Sequence, residues 1–239
     1  MTINEFIESV KKLGIKISDE ELNKLDIYAK FLLEYNEHTN LTAIKKEEDV
    51  YLKHFYDSLT ISYVINLEEE KTLLDIGTGA GFPGMILKIF FPNLKVTLLD
   101  SNNKKTKFLE KLRDKLNLND VEIINDRVEN LAKTRLNYYD VVTARAVTNM
   151  TILTELAMPL VKEEKYFIAL KGSNINEIED SYYAISVMHG KIVKSKEFEL
   201  AKEAGKRNIV KIKKANKTNI NEIRSYDKII KKPLQKKIK

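Results

Sequence analysis

From Lys71 onward, short β-rich runs alternate with helical segments of about a dozen residues, and this rhythm restricts the chain to βαβ units on a parallel sheet. Strands are expected at 72–76, 95–99, 121–124, 139–143 and 165–170, with helices near 84–91, 103–117, 128–135, 150–158 and 175–188. Two more β-rich runs, 191–199 and 207–213, flank the polar, Gly-containing stretch Ala201 to Lys206, so the sheet should end in an antiparallel pair. Seven strands point away from a simple dinucleotide fold. Ahead of them, Ile3, Phe6, Ile7, Val10 and Leu13 recur at helical spacing, and Ser18 with Glu21 forms a capping box before Leu22, Leu25, Ala29, Leu32 and Leu33. A further helix is expected over 47–65, with Asn40-Leu41-Thr42 as a turn before it. The expected organisation is a helical cap at 1–66, a Rossmann-like α/β domain at 67–215 and a basic tail at 216–239, its last lysine-rich residues being candidates for disorder.

The segment Leu73-Leu74-Asp75-Ile76-Gly77-Thr78-Gly79-Ala80-Gly81-Phe82-Pro83-Gly84 leaves the first expected strand and enters a helix. Glycine accepts φ > 0 and presents no side chain, so such a loop lets backbone N–H groups approach a ligand closely. Gly79 to Gly84 also fits G-x-G-x-x-G, which keeps a nicotinamide cofactor as an alternative, beside a merely structural turn. Asp75 favours a different cofactor. A carboxylate at the strand end repels a pyrophosphate but pairs with the cationic amino-acid end of S-adenosylmethionine. Asp100, nineteen residues past Gly81, ends the second strand, where an acceptor takes hydrogen bonds from ribose hydroxyls in either fold.

Composition narrows the rest. The 239 residues are 43% hydrophobic and 32% charged, and the longest apolar runs, such as Phe167 to Leu170, fall far short of the ~20 residues a membrane helix needs. The opening MTINEFIESVKKL lacks the apolar core of a secretory signal, so a cytoplasmic location is expected. With no cysteine and only His38, His54 and His189 scattered along the chain, no metal site is expected. The net charge of +6 is uneven: residues 206–239 hold thirteen Lys or Arg against Glu222 and Asp227, a net +11 that leaves −5 on the preceding 205 residues. Such a tail is the footprint of a protein that meets phosphate backbones, or simply a solvated tail.

Read together with Tyr35-Asn36-Glu37-His38-Thr39-Asn40-Leu41-Thr42, Lys53-His54-Phe55-Tyr56-Asp57-Ser58 and Thr143-Ala144-Arg145-Ala146, the glycine loop closely resembles the bacterial small-subunit ribosomal RNA guanine-N7 methyltransferases, also called the glucose-inhibited division protein B family. The resemblance covers roughly residues 20–213, with the motifs in order. It implies a class I S-adenosylmethionine-dependent methyltransferase fold and methylation of one guanine in the decoding-side loop of 16S ribosomal RNA; a small-molecule methyltransferase and a ribosome-binding protein without catalysis stand as alternatives beside the nicotinamide enzyme. The partner is then 16S ribosomal RNA or the small ribosomal subunit, and a monomer is expected. By that likeness Gly77 and Phe82 line the cofactor pocket, Val128 and Glu129 contact its adenine end, and Arg145 reaches into the site. Tyr35 stands where the family carries a tryptophan, and the tail beyond Ala215 departs from the family pattern.

Methyl transfer from a sulfonium to guanine N7 needs no general base, because N7 carries an exposed lone pair and no proton. No catalytic residue is therefore assigned. The expected cofactor-binding set is Asp75, Gly77, Gly79, Gly81, Phe82, Asp100, Val128, Glu129 and Arg145; the expected RNA set is Lys53, His54, Arg145 and Lys171, with Tyr56 beside them. Alternatives stand for several: Arg145 as a salt bridge at the sheet's end, Glu129 and Asp126 as helix N-terminal charges, Lys171 as a solvated lysine, and His54 as an ordinary helix residue.

Overall fold

The computed structural model of the protein describes residues 1–174 and 176–235. Strands β1 (Thr72–Ile76), β2 (Lys95–Leu99), β3 (Val121–Ile124), β4 (Tyr139–Arg145), β5 (Val161–Lys171), β6 (Gly190–Glu199) and β7 (Lys206–Lys214) form one sheet in the order β3-β2-β1-β4-β5-β7-β6. β1 runs parallel to β2 and β4, whereas β7 lies antiparallel between β5 and β6. The strand order reverses at β1, which opens a crevice at the carboxyl ends of β1 and β4 where doubly wound sheets hold ligands. The expected seven strands and terminal antiparallel pair are present.

Helices α1 (Ile3–Lys12) and α2 (Asp19–Thr39) form the cap, each opened by a capping box, from Thr2 with Glu5 and from Ser18 with Glu21. The stretch expected as one helix over 47–65 changes its hydrogen bonding along its length. It runs through α3 (Glu47–Val50), a π-helical turn (Tyr51–Tyr56), α4 (Asp57–Leu59) and a 3-10 turn (Thr60–Tyr63). Here the Ser58 hydroxyl donates to the His54 carbonyl at 2.6 Å and the Thr60 hydroxyl to the Asp57 carbonyl at 2.5 Å, competing with the regular ladder. The remaining helices are α5 (Gly84–Phe90), α6 (Asn103–Lys115), α7 (Val128–Thr134), α8 (Met150–Ala157), α9 (Asn176–Asp180), α10 (Tyr182–Val187) and α11 (Tyr226–Lys231). The helix expected at 175–188 is two, broken at buried Ser181, whose hydroxyl donates to the Ile178 carbonyl at 2.6 Å; Ile175 lies outside the described residues.

The period of two along the strands sorts side chains to the two faces. Leu73, Val141 and Ile168 join a core with the cap, α5 and α6, while Leu74, Val142 and Phe167 join a second core with α7, α8, α10 and α11. Cap and sheet therefore share one continuous core. Residues 216–235, read from charge as a tail, carry a 3-10 turn (Ile220–Glu222) and α11, whose Ile229 is buried in the second core. The last residues of the expected disordered stretch, 236–239, lie outside the described residues. No helix among the described residues is long and apolar enough to cross a membrane.

Candidate active site

The glycine loop lies where β1 ends. Gly77, Gly79 and Gly81 all have positive φ, and the loop is pinned from several sides. The Gly79 N–H donates to Asp100 Oδ2 at 3.0 Å, and the Tyr28 hydroxyl of α2 donates to the Ala80 carbonyl. A Cβ on Gly81 would stand 2.5 Å from that hydroxyl, so the loop conformation and the seating of the cap require each other.

Asp75 is fully buried beneath this loop rather than open to a ligand. Its Oδ2 accepts from Gly84 N at 2.8 Å and from the Thr78 hydroxyl at 2.6 Å, while Oδ1 is buried without a partner. Burial, partly offset by those two donors, pushes its carboxyl up to about 7. Asp75 therefore holds the loop to the start of α5.

Beyond the ends of β1, β2 and β3 opens a cavity of about 180 Å³ lined by Gly77, Asp100, Val128, Glu129 and Tyr226, among others. Asp100, Asp126 and Glu129 give it three carboxylates against the one guanidinium of Arg127. Glu129 Oε1 accepts from Arg127 at 3.2 Å, and its buried Oε2 has no partner. A Cβ on Gly77 would fall 2.7 Å from a methyl of Val147, so the bare glycine gives room beside that side chain. An acidic slot with a free carboxylate oxygen and a bare backbone cradle fits a cationic nucleoside such as S-adenosylmethionine and repels a pyrophosphate.

Of the expected cofactor set, Gly77, Asp100, Val128 and Glu129 line this cavity, and Gly79 is tied to it through Asp100. Asp75, Gly81, Phe82 and Arg145 are not in its lining, each for a visible reason. Asp75 is spent on Gly84, and Gly81 faces Tyr28. Phe82 is stacked between Tyr28 (5.3 Å, 9°) and His54 (4.3 Å, 15°). Arg145 turns toward α4, where Nη1 donates to the Lys53 carbonyl at 2.9 Å and to Asp57 Oδ2 at 3.0 Å.

A second cavity of about 490 Å³ collects the whole expected RNA set, Lys53, His54, Arg145 and Lys171, with Asp57 and Arg207. Asp57, only 4% exposed, bridges the two arginines by accepting from Arg207 Nε at 3.1 Å through its other oxygen. Lys171 is not a solvated lysine: its ammonium donates to the Thr148 carbonyl at 2.7 Å and pairs with Glu177 at 2.6 Å. His54 accepts at Nδ1 from Arg145 Nη2 at 3.0 Å, because a guanidinium can only donate, which leaves Nε2–H to donate to Thr42 Oγ1 at 2.9 Å. Burial, reinforced by the charge of Arg145, pushes the imidazole down to about 3, so His54 is neutral and both ring nitrogens are engaged within the protein. Tyr56 lies on the same π-helical turn as Lys53 and His54.

The chain is similar to known proteins over most of its length. The family model described as "GidB: rRNA small subunit methyltransferase G" matches residues 21–210. The chain belongs to the rRNA small subunit methyltransferase G family. Among relatives, it is 43% identical to ribosomal RNA small subunit methyltransferase G of Staphylococcus saprophyticus over 220 residues, 91% of this chain and 92% of that protein. It is 42% identical to the protein of the same name from Bacillus licheniformis, with the same coverage. Solved structures carry the fold further afield. M. jannaschii TYW2 in complex with AdoMet superposes with a TM-score of 0.55 at 14% identity, over 66% of this chain and 74% of that one. Precorrin-6y C5,15-methyltransferase from Geobacter metallireducens gives 0.52 at 13%, over 72% and 90%. Membership of the methyltransferase G family removes the nicotinamide alternative, and the class I methyltransferase sheet agrees with it.

Asp57, Arg127, Val147, Arg207 and Tyr226 also line the two cavities, outside the sets expected from sequence. Asp57 stood inside the Lys53–Ser58 motif, but nothing local marks it as the bridge between two distant arginines. Arg207 lies in a run legible as a strand and Tyr226 in a segment legible only as charge, and neither carries a local signal of a site.

Proposed function

We propose that the protein transfers the methyl group of S-adenosylmethionine to N7 of a guanine in small-subunit ribosomal RNA, acting as a monomer in the cytoplasm where its substrate resides. The observation that carries this reading is the pair of neighbouring cavities of opposite character at the carboxyl edge of one methyltransferase sheet. The small one has three carboxylates against one cation; the larger has Lys53, Arg145, Lys171 and Arg207 against Asp57 and Glu177. Val147 and Thr148 line the first, and Ala146 lines the second, so one short segment after β4 separates them.

When bound, the cofactor supplies an electrophilic sulfonium methyl. The chain's own residues then have two tasks. Gly77 leaves room for the cofactor's close approach, while Asp100 and Glu129 offer acceptors to its hydroxyls and amino groups. The larger cavity takes the guanine and its phosphates, and orientation alone supplies up to ~7–11 kcal/mol in well-aligned systems. As N7 gains positive charge, a bare guanidinium nearby would oppose the transfer; Asp57, paired with Arg145, offsets that charge. No residue has to move a proton.

The test is incubation with methyl-labelled S-adenosylmethionine and small ribosomal subunits from cells lacking the protein, followed by mapping of the labelled base. Label on a guanine N7 is expected. An unlabelled RNA, despite calorimetric binding of S-adenosylhomocysteine, would move the methyl acceptor elsewhere.

A further inference from the structure

We propose that the C-terminal segment 218–231 is a strap that completes the cofactor cavity, with Tyr226 and the Arg127 it carries forming the wall against which the adenine of S-adenosylmethionine lies. The proposal rests on the cofactor reading above. The strap lies outside the family model, which ends at residue 210.

The strap is fastened at three places. At its start, Asn137 Oδ1 accepts from Thr218 N at 3.0 Å while Asn137 Nδ2 donates to the Thr218 carbonyl at 3.0 Å. In the middle, Arg224 meets Glu155 of α8 as a two-pronged pair, Nη2 to Oε2 at 2.6 Å and Nε to Oε1, and its Nη1 donates to the Lys232 carbonyl at 2.9 Å. The Glu155 side chain is only 2% exposed. Burying a carboxylate against a guanidinium contributes little net stability, but a planar two-pronged pair fixes direction. At its end Ile229 enters the second core.

That fastening sets Tyr226 in the cavity lining, with the Arg127 guanidinium 4.1 Å from its ring centroid. Arg127 Nε in turn donates to Glu129 Oε1, leaving the buried Oε2 of Glu129 without a partner. The result is a guanidinium over an aromatic ring beside the small cavity, with apolar Ile76, Leu99 and Leu156 also in its lining and a free acceptor on Glu129. The ligand that fits this combination is a flat heteroaromatic with an exocyclic amino donor, which is adenine and not a phosphate or a flexible chain. The strap also commits one cation of the basic segment, Arg224, to Glu155.

Calorimetry with S-adenosylhomocysteine on the full chain tests this, comparing the unaltered protein with Tyr226→Ala, Tyr226→Phe and Glu155→Gln. Loss of one stacking face should weaken Kd by about tenfold in Tyr226→Ala, with Tyr226→Phe near the unaltered value and Glu155→Gln between them. Amide exchange across 224–231 should slow when the ligand is added, a response that merely structural packing of the strap does not give. KM for RNA at saturating cofactor should stay within about twofold, since the strap touches the nucleoside and not the acceptor. An unchanged Kd in Tyr226→Ala, or an effect on KM for RNA alone, overturns the strap and leaves the segment an RNA arm. If the unaltered protein itself binds no S-adenosylhomocysteine, the cofactor reading has failed, and the strap proposal with it.

Discussion

Arg145 shows how a single side chain can join two parts of the chain. Its guanidinium reaches the Lys53 carbonyl, the Asp57 carboxylate and the His54 ring at once, which needs a rigid fork of donors. A lysine offers one point charge on a flexible stem, so Arg145→Lys should release α4 and His54 and lower kcat/KM for RNA by about tenfold or more. Because Arg145 does not line the smaller cavity, Kd for S-adenosylhomocysteine should change by less than about twofold. A comparable loss in both would return Arg145 to the cofactor. The salt bridge weighed for Arg145 is present, and the ion pair with Asp57 keeps the arginine in the lining of the larger cavity.

At the scale of elements, the glycine loop and the cap helix α2 interlock. Gly81 sits at φ +103° with the Tyr28 hydroxyl, Leu109 and Met85 in the space a Cβ would enter; Gly79, at φ +63°, meets nothing closer than 4.0 Å. Gly81→Ala should therefore cost roughly 2–5 kcal/mol, backbone strain plus overpacking, while Gly79→Ala should cost only about 1–2 kcal/mol. Urea unfolding of the two variants measures the difference, and equal losses would contradict the interlock. Elements also show how far local signals reach. β1, β2 and β3 fall on their expected bounds, because alternation and flanking turns mark them. β5 begins at Val161, four residues before expectation, because Lys162, Glu163 and Glu164 carry no apolar alternation to mark a strand, and Glu164 adopts a positive φ of 65° inside it.

The whole molecule depends on contacts between its far ends, and Lys214 is one that pH can probe. Fully buried at the end of β7, its ammonium donates to Asn137 Oδ1 at 2.6 Å and to the Met158 and Val161 carbonyls at 2.8 Å, and Asn137 in turn holds the strap. Burial pushes it down to about 7 from 10.5, its value in an open chain. Between those values the unfolded chain binds the extra proton, so stability rises with pH over that window; below about 7 both states are protonated and the penalty is complete. Against Lys214→Met, the unaltered protein should thus gain relative stability from pH 7 to pH 10. Urea unfolding at several pH values in that interval checks this, and parallel curves for the two proteins would refute it.

The sequence by itself determined what short-range physics can write. The alternation of strands and helices, the capping box at Ser18, the glycine loop and its acid, and the motifs of the family are each written in residues a few positions apart. Only the tertiary structure decided which acids face the smaller cavity. Asp75 and Asp100 end neighbouring strands with the same local signature, yet one is buried against Gly84 and the other lines the cavity. It also decided that Asp57 joins Arg145 and Arg207, 88 and 150 residues away, and that a segment legible only as charge brings Tyr226 to Arg127. Such pairings have no period and no spacing along the chain; they follow from strand order and from which face of the sheet each element covers, and those exist only once the core has closed.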